Sequence, residues 1–541
     1  MGEQPWDRNA SGAGHRHGGG YAGFLICAVV LLGYNASALA QYIGLPTGFN
    51  GAIPAAPAPA GGEPTAVAGP APPWLLTPSL TLGETFTDNV NLAPPGQTRS
   101  DLITTISPGL NLVGQTARVN LSLTYDPQLL LFALGTSSPV LQQQLLGTGK
   151  VEIYPKEVFA EGSASIGQAY VSNAGAFAPT NLTTNNNLQT VEAVNFSPYI
   201  LHHLGSYADT ETRYRFSLVS TGTAAGAAGI GTQTTNQFIS TMTGGDYFGS
   251  LGLQLTSSYT KTNGLSTTIG VVGNASSLDE LERLDVRYPI YNRVSATGSI
   301  GWERIKDPTL IRQPVGVLWD IGLRYDPSPF ASVSASYGHH PIGTDYAFSV
   351  KYDVSAQTHL SASYSQTVQT AQSLIAANLN GLTIGPGGVL INPKTGLPAS
   401  PGFGPGQIPF SLTNGSFFDK RFELDATATR GRNTYSLTAY DDRQSDQVGL
   451  SNTQGIGGTF AWARQLWPNL TSNLGASYER ISFLDGSGRM DNYYVASASL
   501  AYTLSRSASV QLSLVRSDLE SNQRQNSVVD DLVTLSLQKR F

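Results

Sequence analysis

Acidic and basic residues in this chain alternate at a spacing of two. In YADTETRYRFSL (207–218), Asp209, Glu211, Arg213 and Arg215 take every second position. Arg283, Asp285 and Arg287 repeat the pattern, as do Arg421, Glu423 and Asp425 in KRFELDATA (420–428). Asp320 and Arg324 stand on one side of VLWDIGLRY (317–325). Successive side chains of an extended strand point to opposite faces, so each set projects from a single face. Two chemistries fit. Rings of charge around a passage select solutes or guide a glycan. A solvated ladder of cross-strand ion pairs stiffens a wall, each pair contributing little. The signs are mixed rather than segregated, which favours the ladder.

Other chemistries find weaker support. His202-His203 and His339-His340 are adjacent pairs whose rings point to opposite faces of a strand, and His359 stands alone, so no metal site is expected. Paired carboxylates occur in AYDDRQSDQ (439–447) and VVDDLV (528–533), without the spacing of a calcium loop. Serine is so abundant that any histidine has one nearby, and no G-x-S-x-G elbow sits between a strand and a helix. The chain reads as a non-enzyme with no cofactor.

The elements that must position the charges are strands. In WLLTPSLTLGETF (74–86), Leu76, Leu80, Leu82 and Phe86 share a face that Thr77, Ser79, Thr81 and Thr85 avoid. RVNLSLTY (118–125), VSATGSIGW (294–302), VLWDIGLRY (317–325) and DYAFSVKY (345–352) repeat this period of two and end on Tyr or Trp. Short turns near 114–116, 205–206, 291–292 and 327–329 alternate with longer polar loops at 88–100, 171–188 and 220–233, and with a very long one near 368–418. YDPSPFASVSASY (325–337), YDVSAQTHLSASY (352–364) and YTLSRSASVQLSL (502–514) align without gaps and read as one hairpin unit. The expected fold is all-β: a transmembrane antiparallel up-and-down barrel of about 22 strands (range 18–24) over residues 74–541, with short periplasmic turns and long extracellular loops. Inside a bilayer every backbone group must be bonded internally, which a closed barrel achieves without an apolar interior. A secreted sandwich or solenoid would show a dry core and more surface charge than the 13% charged residues here.

Composition agrees. The net charge of −6, with 31 Lys+Arg against 37 Asp+Glu, argues against nucleic acid as a partner. Residues 1–40 read as a signal peptide, with the apolar run YAGFLICAVVLLGY (21–34) and an A-x-A cleavage site ending at Ala40. The sole cysteine, Cys27, leaves with it, so disulfides are not expected. Residues 41–73, rich in Pro, Ala and Gly, read as a disordered periplasmic linker.

Several runs resemble the PEP-CTERM system-associated outer-membrane β-barrel family. They include RYPIYNRVSATGSIGWERIKDPTL within 287–338, YAFSVKYDVSAQTHLSASYSQTVQT (346–370) and VNFSPYILHHLGSYADTETRYRFS (194–217). LTPSLTLGETFTDNVNLAP (76–94) and SDLITTISPGLNL (100–112) are similar to it as well. The resemblance implies a Gram-negative cell outer membrane, a role in export or assembly of exopolysaccharide, and no active-site residues. Two functions follow as expectations: a porin-like conduit, or a non-conducting scaffold or adhesin acting through its loops. Expected partners are outer-membrane lipid, the barrel-assembly machinery, and surface polysaccharide or periplasmic export components. The chain ends in LVTLSLQKRF (532–541), and outer-membrane barrels resemble one another in a C-terminal aromatic read by that machinery, which makes Phe541 the expected assembly signal.

Overall fold

A computed structural model describes residues 73–541, apart from 171, 173, 222–231, 266–274, 311–312, 372, 375–376, 378–381, 385–389, 394–415 and 446–451. The expected signal peptide, nearly all of the expected linker and much of the 368–418 loop lie outside the described residues.

Twenty-two antiparallel strands form one closed sheet. The first eight are β1 (Trp74–Thr87), β2 (Asp101–Gln115), β3 (Val119–Tyr125 continued by Gln128–Phe132), β4 (Val140–Gln142 continued by Leu145–Tyr154), β5 (Val158–Tyr170), β6 (Leu188–His203), β7 (Ala208–Thr221) and β8 (Gln233–Gly244). Then come β9 (Gly252–Leu265), β10 (Ala275–Tyr291), β11 (Val294–Lys306), β12 (Val315–Ser328), β13 (Ala331–His340), β14 (Gly343–Ser355) and β15 (Thr358–Thr370). The last are β16 (Ser416–Arg430), β17 (Asn433–Ser445), β18 (Thr453–Trp467), β19 (Leu470–Phe483), β20 (Met490–Ser505), β21 (Ala508–Ser521) and β22 (Val528–Arg540). Each strand pairs with the next, and β22 pairs with β1 from Leu532–Thr87 to Arg540–Ser79, so no edge is left open. The break in β3 falls at Asp126-Pro127, where proline lacks the donor a ladder needs. Asp126 repairs it by giving its N–H to the Gln144 carbonyl at 2.8 Å.

The outward face carries the apolar half of the alternation. Leu82 and Phe86 on β1, Trp319, Ile321, Leu323 and Tyr325 on β12, and Val533, Leu535 and Leu537 on β22 are all exposed. A continuous apolar belt of this kind fits lipid and not water. Two aromatic girdles bound it. Trp302, Trp319, Tyr337, Tyr346, Tyr478 and Tyr494 lie toward one end, and Tyr288, Tyr325, Tyr352, Tyr435 and Tyr502 toward the other. Trp319 and Tyr325 on β12 are separated by about 20 Å of strand, at roughly 3.3 Å per residue. Register partners Tyr337 and Tyr346 have ring centroids 5.4 Å apart, and Tyr478 and Tyr494 5.1 Å apart.

The two ends differ. At one, tight turns join the strands, and several share a register slip, as at Pro289/Tyr291, Asp353/Ser355 and Thr503/Ser505. The three aligned 13-residue segments each cover one such strand end, turn and strand start. Some of the tight turns place one residue in the left-handed region, such as Gly431 (φ 61°) and, with more strain, Arg293 (φ 70°). At the other end the long connections 88–100, 171–187 and 371–415 leave the sheet. Short turns mark the periplasmic end and long loops the extracellular end of such barrels.

The inner face departs from the expected all-polar lumen. Toward the tight turns it carries Ser, Thr and charge. Toward the long loops it adds buried apolar side chains such as Ile103, Leu130, Val191 and Ile481 to buried polar ones such as Thr85, Asp101, Gln142 and Asp491, where the described parts of the loops fold inward and cover it.

Candidate functional site: the barrel lumen

The extracellular half of the lumen holds a packed cork. Loop 88–100 contributes Val90 and Leu92, and loop 171–187 contributes Phe177, Ala178 and Leu182. They pack against Ile103, Leu130 and Phe132 of β2 and β3, and against inward residues of β19–β22 such as Ile481, Tyr493, Val515 and Leu532. The Phe177 ring meets Tyr493 edge-on at 4.8 Å and Tyr170 at 6.3 Å. Polar clasps fix both loops. Asn89 donates to the carbonyls of Ala93 (2.9 Å) and Val529 (2.7 Å). The Thr183 hydroxyl donates to the Val90 carbonyl at 2.8 Å, joining one loop to the other. Asn181 donates to Gln128 (2.9 Å) and Gln142 (2.6 Å) beside the break in β3. Arg489, just before β20, pairs twice with the fully buried Asp491 (3.0 and 2.6 Å) and gives a third N–H to the Ala174 carbonyl at 2.9 Å.

A second segment crosses the barrel. Leu146, Ser165, Ala193, Val219 and Gln233 are successive register partners from β4 to β8, forming a strip of small and apolar inward residues that ends on a polar one. Ala371 and Leu374, which follow β15, and Phe417 of β16 pack on Ala169, Val191, Ala193 and Val219. Thr370 donates to the Gln233 side chain at 2.8 Å. Leu382, Ile384 and Leu390 pack on Leu146 of β4, eleven strands from β15 in either direction around the ring of 22. The described part of the long loop thus reaches the opposite wall.

The charges expected from the sequence fall into three groups, and no ion pair among the described residues links one group to another. On β7, Arg213 pairs with Glu211 at 2.6 Å and with Glu161 of β5 at 2.7 Å. Lys150 of β4 reaches Glu161 at 3.3 Å, the Tyr199 hydroxyl donates to it at 2.9 Å, and the Arg213 guanidinium lies 3.8 Å from the Tyr199 ring centre. Arg215 donates to Gln237 at 3.4 Å. Asp209 is exposed near the tight-turn end, 2.5 Å from His203. On β10–β12, Arg283 bridges Asp285 (2.7 Å) and Asp320 (2.8 Å), and the Ser299 hydroxyl also donates to Asp320. Nearer the turns, Arg287 (3.2 Å) and Arg324 (2.9 Å) meet at Asp326. On β16, Arg421 pairs with Glu423 at 2.8 Å and with Asp442 of β17 at 3.3 Å, while Asp425 accepts the Thr438 hydroxyl at 2.8 Å. Each group is a local ladder of cross-strand and within-strand pairs. Phe541 stands outside the lumen, exposed, with its N–H on the Pro78 carbonyl at 2.9 Å.

Sequence reading missed Lys150, Glu161, Tyr199 and Asp326, and took Asp442 only as half of a carboxylate pair, because the partner of an inward charge is known only once strand register is known. It also missed the cork. A signal existed: in LQTVEAVNF (188–196), Val191 and Ala193 are inward while Val194 and Phe196 are outward, so both faces are apolar near the strand's extracellular end. Among the described residues no three His, Cys, Asp or Glu side chains are grouped to hold a metal ion.

Residues 436–541, from within β17 through β22, match the family described as "Putative beta-barrel porin 2". With the closed sheet and the lipid-facing belt, that match decides the setting. The chain is an outer-membrane β-barrel. Similar solved structures include the FrpB iron transporter from Neisseria meningitidis (F3-3 variant), at 11% identity over 86% of this chain and 81% of that chain, TM-score 0.48. The siderophore receptors PiuA from Acinetobacter baumannii (11% identity, 86% and 82% covered, TM-score 0.46) and PirA from Pseudomonas aeruginosa (9%, 86% and 80%, TM-score 0.44) are others. No curated protein matches the chain.

Proposed function

We propose that this outer-membrane barrel is a porin-like conduit kept shut by its own loops, delivered to the membrane after cleavage near Ala40, and that its cargo is surface polysaccharide during export or assembly. The observation that carries the conduit reading is the segment after β15, which crosses to Leu146 on the far wall and so occupies a lumen wide enough to need filling. The periplasmic half supports it, because its inward Ser, Thr and paired charges suit hydrated solutes. The polysaccharide reading rests on the family resemblance of residues 287–338 and 346–370. A second reading, a scaffold that never conducts, is favoured by the packed cork, which is built like a protein core.

Conductance in planar bilayers separates the two. Replacing residues 371–415 by a short Gly-Ser turn, in the full chain and in a variant that also carries Phe177→Asp, is expected to yield channels absent from the parent. A folded double variant that stays closed would favour the scaffold. Loss of surface polysaccharide in cells lacking the barrel, restored by the parent chain, tests the cargo.

A further inference from the structure

We infer that the outward face of β16–β19, just above the extracellular aromatic girdle, binds the phosphorylated headgroup of an outer-leaflet glycolipid. Lys420 on β16 and Arg443 on β17 are direct register partners, and both are exposed. Outward parity is set by Phe422 and Leu424 on β16 and by Tyr435 and Leu437 on β17, which lie in the lipid-facing belt. Like charges placed directly opposite one another destabilise a sheet unless something anionic lies between them. Arg480 on β19 adds a third exposed cation, with Gln454 and Ile456 of β18 between it and Arg443.

The height of this patch identifies its ligand. Lys420 lies two residues beyond Phe422, and Arg480 two beyond Tyr478. Each cation therefore sits one outward step, about 7 Å of strand, beyond a ring at the edge of the hydrocarbon. That is where lipid phosphates lie, and guanidinium groups bind phosphate through two parallel hydrogen bonds. By contrast, two outward cations on other strands are neutralised: Arg516 pairs with Asp531 at 2.7 Å, and Arg304 of β11 pairs with Glu280. Among the described residues no carboxylate lies within ion-pair distance of Lys420, Arg443 or Arg480. Arg480 donates to the Met490 sulfur at 3.0 Å. Asp441, the acid that shares this face, accepts the Gln454 amide at 2.9 Å. Among the described residues of β16–β19 at or above the extracellular girdle, three outward cations against one outward carboxylate leave an anion-binding surface at lipid height, and it does not depend on whether the barrel conducts.

Native mass spectrometry of the full chain in mild detergent tests this, with diphosphorylated lipid A, dephosphorylated lipid A and inorganic phosphate as probes. The parent should retain the diphosphorylated form, and Lys420→Gln/Arg443→Gln/Arg480→Gln should bind it at least about tenfold more weakly, since each charge-assisted hydrogen bond is worth roughly a factor of ten. Arg464→Gln, an outward cation near the tight turns, should behave as the parent. Heat-modifiable gel mobility reports folding of each variant, and the single Arg443→Gln change serves if the triple does not fold. Equal retention by parent and a folded variant overturns the site. So does equal retention of dephosphorylated lipid A, which would mean contact with the apolar belt alone, or displacement by millimolar inorganic phosphate, which would mean a free-anion site.

Discussion

Along a single strand the inner wall changes material. On β20 the inward residues Tyr493 and Val495 are buried in the cork, whereas Ser497 and Ser499, two and four residues further on, are only half-buried. On β22, Val528 and Leu532 belong to the cork, and Thr534 and Ser536 continue below it. The outward residues of the same strands stay apolar throughout the belt. Two surroundings explain the difference. The outer face meets lipid along the belt, but the inner face meets packed loop side chains at one end and other polar, paired side chains of the wall toward the other. Apolar side chains are stabilised inward only where a loop expels water from them. The cork should therefore respond to changes of shape, and the periplasmic half to changes of charge and salt.

Phe177→Asp should have the largest effect. It removes a ring packed between Tyr170 and Tyr493 and leaves a carboxylate without a partner, which should weaken loop docking by about 5 kcal/mol. The barrel should still form, because Phe177 belongs to no strand. Limited proteolysis should then cut within 174–187 while heat-modifiable gel mobility is retained. A loop that stays protected would show that the cork is not held by packing.

Arg283→Gln comes next. Arg283 is nearly buried and holds both Asp285 and Asp320, so its loss leaves two inward carboxylates facing each other without a cation. Breaking a pair this shielded costs about 3 kcal/mol. Thermal unfolding of the purified barrel should show the loss, and Asp320→Asn in the same chain should recover part of it. A fall no greater than that of an exposed pair would place Arg283 in bulk-like water.

Gly457→Ala probes fit within the wall. A Cβ at Gly457 would lie 2.6 Å from the Tyr440 hydroxyl, 2.8 Å from its ring and 2.7 Å from the Tyr478 carbonyl, so both ring and backbone must move. Overpacking of this kind costs about 1–3 kcal/mol. Tyr440→Phe removes only the hydroxyl contact and should restore a small part of the thermal stability, the rest of the cost lying with the ring and the Tyr478 carbonyl; full rescue would assign it all to the hydroxyl.

The outward half of this architecture was legible in the sequence because period two is enforced at every residue of a lipid-facing strand. Val317, Trp319, Ile321, Leu323 and Tyr325 can be read off directly, and counting such runs gives about 22 strands within a range of 18–24, where the structure has 22. The charged sets were legible for the same reason, within one strand. Their partners were not, since Glu161 lies 52 residues from Arg213 in the chain and meets it only through register. The cork was least legible. Phe177 lies in a loop without periodicity, and the strand positions it covers, such as Ile481 and Leu519, look like irregularities until a loop is placed over them.

Arg287→Gln should have the smallest effect and the most informative salt dependence. Arg287 and Arg283 are the same residue type on the same inward face of β10, four residues apart. Yet Arg283 is about a tenth exposed and Arg287 about half. Arg287 shares Asp326 with Arg324, so its removal leaves that carboxylate paired. A half-exposed pair of this kind contributes roughly 0–1 kcal/mol and is screened over about 10 Å at 0.1 M salt. The parent and Arg287→Gln should therefore unfold at nearly the same temperature, and any gap should close as salt rises from 0.01 to 1 M, where the screening length falls to about 3 Å. The gap caused by Arg283→Gln should persist across that range. If both gaps closed alike, the inner wall would be uniformly wet, and the boundary between the two halves would lie above Arg283, within the cork itself.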